Sequence, residues 1–229
     1  MSDGLFLKKI RYIFILLCSL FFIACSGEPP VVSEVWWQLN VEEDFTGEGK
    51  TESLSLFLNG EDKDGDEDLE TLYIINDEKQ YFWEIPSDEW VQHTEQNTKW
   101  IGLNGILAPG DGHFPEGEYR VLLIDRAGER DETTFYLRNL IPPLEELESP
   151  EISYDNNRIK VETEFPLFQI WFYNDRNELV EKSQSFSPGN YDWNQISRNI
   201  VRRSRTFTLY MEPESGAWGS ISRSYSFSE

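Results

Sequence analysis

The chain has 229 residues and carries 42 acidic against 20 basic side chains, a formal net charge of −22. That balance excludes nucleic acid as a natural partner, because phosphate binding needs a basic footprint. Aromatic residues make up 14% of the chain, with 8 Trp, 10 Tyr and 15 Phe against 2 Met. Such a composition favours strands, whose pleated surfaces accept aromatic and β-branched side chains.

The N-terminus reads as an export signal. Lys8, Lys9 and Arg11 precede an unbroken apolar run over residues 12–24. A spanning helix needs about 20 apolar residues, so this run is too short for a permanent anchor. It ends in Phe22-Ile23-Ala24-Cys25, which resembles a bacterial lipobox, in the looser form known from spirochaete lipoproteins, with Phe22 where most lipoboxes carry Leu. The resemblance implies a signal peptide over residues 1–24 and acylation of Cys25, which becomes the first residue of a lipidated tether, 25–30. Several acyl chains hold a protein durably in a membrane, so lipid is the first expected partner. Ser26 is not the Asp that retains lipoproteins at the inner membrane, which favours the outer membrane, with the chain facing the periplasm or the exterior. Cys18 leaves with the signal. No disulfide or thiolate site is then expected in the mature chain.

Downstream, VVSEVWWQLNV alternates with strand period, Val35, Trp37, Leu39 and Val41 opposing Glu34, Trp36, Gln38 and Asn40. TESLSLFLNG, LETLYII, QYFWEI, KWIGLNGIL, EYRVLLID and TTFYLRN follow, separated by Gly, Asp, Asn and Pro. Seven such segments in about 115 residues is sandwich spacing. Gly117-Glu118-Tyr119-Arg120-Val121 resembles the start of strand F of immunoglobulin-like domains. Tyr119 would then be a tyrosine corner, and Val121 would stand where antibody domains carry a cysteine. IDRAGE resembles the following F–G hairpin of bacterial Ig-like domains.

The segment NLIPPLEELESP, residues 139–150, holds three prolines and marks the expected boundary between an Ig-like β-sandwich at 31–142 and a second, Ig- or fibronectin-like, at 143–229. In the second unit Ile159 and Val161 alternate with charged residues, and Asn174-Asp175-Arg176-Asn177 predicts a hairpin turn. SPGNY, 187–191, echoes PEGEY of the first unit. The C-terminus predicts one closing strand, with Ile221, Tyr225 and Phe227 alternating against a hydroxyl face of Ser220, Ser222, Ser224 and Ser226.

EDKDGDEDL, residues 61–69, sets six carboxylates around Gly65. It fits no EF-hand register, because Glu67 or Leu69 falls on the glycine position and Tyr73 or Ile75 on the terminal glutamate. It resembles the B–C connection of bacterial Ig-like domains, in which Asp side chains bond backbone amides and the glycine takes a positive φ. Two readings stay open: a solvated turn, or a structural Ca²⁺ on Asp62, Asp64, Asp66 and Asp68, since clustered carboxylates repel unless a cation counters them. No other cofactor is expected.

Of the two histidines, His113 reads as a loop residue, and neither it nor His93 belongs to a nucleophile or metal motif. Trp83 and Trp100 read as core residues, Trp90 as the exposed one, and one of the neighbours Trp36 and Trp37 must face away from the core. Trp90 and Trp36 are therefore the candidate binding residues. Together these features predict a lipid-anchored cell-envelope protein with a non-enzymatic binding or structural role, its partner another envelope protein or a glycan. The alternatives are a glycan-binding lipoprotein and an envelope hydrolase.

Overall fold

The computed structural model describes residues 27–47, 49–110, 112–196, 200 and 203–227. Cys25 and Asp111 lie outside them. The fold is all-β. The first half contributes β1 (Val31–Glu43), β2 (Lys50–Glu61), β3 (Leu69–Asn76), β4 (Tyr81–Pro86), β5 (Val91–Glu95), β6 (Thr98–Leu107), β7 (Gly117–Asp125) and β8 (Arg130–Leu137). The second contributes β9 (Glu151–Tyr154), β10 (Arg158–Glu162), β11 (Leu167–Tyr173), β12 (Leu179–Lys182), β13 (Gly189–Asp192), the short helix α1 (Trp193–Ile196), β14 (Thr206–Glu212), β15 (Trp218–Ile221) and β16 (Tyr225–Ser226).

In the first half, β1-β2-β6-β5 form one layer and β4-β3-β7-β8 the other, the division of strands found in Ig-type sandwiches. The leucine alternation of β2 fixes the inner face: Leu54, Leu56 and Leu58 are fully buried with Leu72, Ile74, Val121 and Leu123 of the opposite layer. Tyr119 is buried and its hydroxyl donates to the Pro115 carbonyl at 2.8 Å, so the expected tyrosine corner is present. Burial pushes its phenol up to about 12. Tyr191 repeats the same four-residue reach, donating to Ser187 O at 2.6 Å. The sequence echo therefore has a geometric basis, although Tyr119 lies on β7 and Tyr191 on β13, which pairs with β10. Replacing Tyr119 with Phe removes one hydrogen bond and leaves the Pro115 carbonyl short of a donor. The expected cost is about 1 kcal/mol, read as a melting point lowered by roughly 2–4 °C.

In the second half, β13-β10-β9 form a three-stranded layer. It packs through Tyr154, Tyr191 and the helix residue Trp193 onto Phe168, Phe172 and Phe207 of β11 and β14. The layer bearing β11 and β14 is not separate from the first half. It continues through β15 into β1 by parallel pairing, Leu39↔Trp218, Asn40↔Gly219, Val41↔Ser220 and Glu42↔Ile221, giving one nine-stranded sheet ordered β12-β11-β14-β15-β1-β2-β6-β5 with β16 on β14. The proline-rich segment between the halves is packed down: Ile141, Leu144 and Leu147 lie against the core, and the Lys50 ammonium donates to Leu147 O at 2.8 Å.

Two expectations change. A strand at Val91–Glu95 joins the seven of the first half; its five residues are all exposed, so it carried no inward alternation to read. The C-terminal strand is broken into β15 and β16, and its serines do not share one hydroxyl face, since Ser224 and Ser226 are exposed and the other two are not. Ser220 and Ser222 are buried, and the Ser222 hydroxyl accepts from Leu209 N at 2.9 Å, replacing a ladder acceptor where the strand is interrupted.

Candidate functional site

The acidic loop connects β2 to β3, as the B–C resemblance implied. Asp62 leaves the end of β2, Gly65 holds φ at 120°, Asp66–Asp68 form a 3-10 turn, and Leu69 re-enters the core at 2% exposure. A non-glycine residue is strained at such a φ, which is why this turn carries glycine. Asp62 Oδ1 accepts from Asp64 N at 2.8 Å, the amide-bonding role expected of the loop.

The four carboxylates expected to share an ion do not converge. Asp66 turns away to pair with Lys99 at 2.7 Å, and Asp64 Oδ2 accepts from Glu28 N at 2.7 Å. What converges is Asp62, Asp68 and Asp125, each offering an oxygen within 4.8 Å of the others. Asp125 ends β7 and was missed in the loop-based reading, although the F–G turn of an Ig-type sandwich lies at the same end as the B–C loop. Its Oδ1 accepts from Glu129 N at 2.8 Å. The backbone ties the two loops together, Arg126 N donating to Asp68 O at 2.8 Å. Asp125 is fully buried and Asp62 is 9% exposed, yet Oδ2 of each has no hydrogen-bond partner. The chain N-terminal to β1 passes over this cluster: a β-carbon on Gly27 would lie 3.0 Å from Asp64 Oδ2 and 3.8 Å from Asp125 Oδ2, and Glu28 pairs with Lys63.

A second polar node went unread. Glu52 has the phase of Leu54 and Leu56 and therefore points inward, where it is 1% exposed. Its Oε2 accepts from Phe114 N and Asn139 Nδ2, both at 2.9 Å, and its Oε1 lies 2.7 Å from His113 Nδ1. A carboxylate can only accept, so Nδ1 carries the proton. The node binds His113, Phe114 and the start of the inter-half segment to β2.

The tryptophans sort differently from expectation. Trp90 is half-buried and packed against the core, not displayed in its loop. Trp83 packs as expected, stacking on Phe114 at 5.4 Å while its ring N–H donates to Leu107 O. Trp100 is also half-buried and follows the opposite phase to the fully buried Ile101. Trp37 turns inward onto Phe135, and Trp36, 45% exposed, lies outside beside Phe57 at 6.1 Å. Farther along the outer face of the same sheet Trp171 stacks on Tyr210 at 4.7 Å with the Lys182 ammonium 4.3 Å from the indole centre. The Tyr210 hydroxyl accepts from Gln38 Nε2 at 2.8 Å and donates to Glu212 Oε1 at 2.6 Å. Burial, reinforced by the Glu212 carboxylate, raises the Tyr210 phenol well above its ordinary value. A concavity of about 260 Å³ beside Tyr210 and Glu212 is lined also by Phe168, Gln169 and Ser185.

These features define an all-β protein with an acidic carboxylate cluster at one end of its first half and an aromatic outer face. No protein-family model matches the chain, and no curated protein matches it. Among solved structures it is similar to a "Biofilm associated protein - BSP domain", at 13% identity and a TM-score of 0.28, covering 86% of this chain. The chain spans 30% of that neighbour's length.

Proposed function

We propose that the chain is a lipid-anchored cell-envelope protein that works by binding or mechanical support through its β-structure, and not by catalysis. The observation that carries this reading is the parallel β1–β15 pairing, which runs one sheet through both halves. Two modules on a loose linker reorient freely, whereas a shared sheet transmits force and holds surfaces in fixed relation. The address rests on the basic N-terminus, the apolar run and Cys25, with outer-membrane attachment favoured. Its partner is another envelope protein or a glycan.

Expressed as the full chain in a two-membraned bacterium, the protein is expected to incorporate labelled palmitate and partition into the detergent phase. Cys25→Ala should abolish both. An unlabelled, freely aqueous wild type overturns the anchor.

Glycan binding has one specific support, the exposed Trp36 with Phe57 beside it, a surface on which a sugar ring can stack. Glycan-array binding that Trp36→Ala lowers at least tenfold is the expected signature; retention by Trp36→Ala removes Trp36 from the account.

A further inference from the structure

We infer that Asp62, Asp68 and Asp125 form a binding site for a hard divalent cation, best matched by Ca²⁺. Two independent features meet here. The first is the clustering itself, three carboxylate oxygens from the end of β2, the turn before β3 and the end of β7 within 4.8 Å of one another. The second is that Asp62 and Asp125 are at least nine-tenths buried and each directs one oxygen that no donor satisfies.

A buried polar atom without a partner is costly, and buried carboxylates are normally paired or coordinate a metal. Local hydrogen bonding accounts only for the other oxygens: Asp62 Oδ1 is taken by Asp64 N and Asp125 Oδ1 by Glu129 N. These two bonds fix each carboxylate plane and leave the free oxygens in place, the division of labour expected of oriented ligands. Of the nearby lysines, Lys63 pairs with Glu28 and Lys99 with Asp66.

The donor chemistry selects the ion. Oxygen ligands without imidazole or thiolate disfavour zinc and suit calcium or magnesium. Calcium bonds oxygen at about 2.3–2.6 Å, so opposite ligands stand up to roughly 5 Å apart, and it accepts irregular geometry completed by water. Magnesium demands a tighter octahedron at about 2.1 Å. Carboxylates brought together from two separate connections suit the ion that tolerates irregular geometry. Bound there, it would clamp the two loops at the end of the sandwich over which Gly27 and Glu28 pass.

The test uses the full chain in detergent, stripped with chelator, then melted with and without millimolar Ca²⁺ at matched ionic strength. With calcium a hundredfold above its dissociation constant, the midpoint should rise by roughly 5–10 °C. Magnesium at equal concentration should give a smaller rise. Asp125→Asn keeps the oxygen that accepts from Glu129 N. Asp68→Asn alters a half-buried side chain, so it folds even if the first variant does not. Each should abolish the calcium shift, and the exposed control Glu89→Gln should keep it. Equal midpoints in calcium and chelator overturn the site. So does a shift that survives in Asp68→Asn, which would assign the effect to diffuse screening of the acidic surface.

Discussion

Replacing Glu52 with alanine should lower the melting temperature by roughly 10 °C, among the largest single-residue effects in the first half. The side chain is 1% exposed and serves three donors, Phe114 N, Asn139 Nδ2 and His113 Nδ1. Removing it leaves the buried Phe114 N–H without an acceptor, leaves the Asn139 amide only its longer 3.3 Å bond to Phe114 O, and opens a void between β2 and Phe114. Losing one member of a buried charge-assisted network costs about 3–5 kcal/mol, and for a chain of this size each kcal/mol moves the midpoint by about 2–4 °C. Glu52→Gln separates hydrogen bonding from volume. Its amide oxygen can still accept from Phe114 N and Asn139, and its NH₂ can face His113 in the other tautomer, so the expected loss is only about 1 kcal/mol. Calorimetry of both variants decides. Equal losses would mean that charge matters and geometry does not, and a negligible loss in Glu52→Ala would mean that the node is not closed in solution.

The same residue shows why some of the site was legible and some was not. The inward phase of Glu52 is visible beside Leu54 and Leu56, but its partners lie 61 to 87 positions away, and no local pattern names them. The alternation of β1 and β2, the tyrosine corner and the B–C turn were readable because each is fixed by contacts within a few residues. β5 was not, since an edge strand exposed on both faces has no burial to pattern it. The carboxylate cluster falls between these cases. Asp62 and Asp68 belong to the acidic loop, whereas Asp125 joins them only when two connections at one end of a sandwich are considered together. Trp90 was misassigned because a loop position says nothing of what the loop folds back onto. The β1–β15 pairing was the least legible feature. Each strand is complete as a sequence pattern, and only tertiary structure says which free edge meets which.

Gly219→Val should destabilise the protein by about 2 kcal/mol and uncouple its halves. Gly219 faces Asn40 in the parallel pair that joins them, and a β-carbon there would lie 2.5 Å from Asn40 Oδ1, 2.6 Å from Tyr210 Cε2 and 2.9 Å from the Tyr210 hydroxyl oxygen. Intrinsic preference points the other way: valine is favoured over glycine in strands by up to about 1 kcal/mol. Overpacking costs about 1–3 kcal/mol, and displacing the Tyr210 ring also breaks its bond to Gln38, another 1 kcal/mol or so. The steric effect should therefore win, with the midpoint falling by roughly 4–8 °C and unfolding separating into two calorimetric transitions. Tyr210→Phe, which removes the hydroxyl without the clash, should cost about 1 kcal/mol and leave unfolding in one step. Combining Gly219→Ala with Tyr210→Ala tests the contact directly, because removing the ring makes room for the methyl group and the double variant should lose less than the sum of the singles. Strict additivity would mean that Gly219 and the Tyr210 ring are not in contact across β15 and β14; a stabilised Gly219→Val would mean that β1 and β15 are not held edge to edge, and the mechanical reading of the shared sheet would go with it.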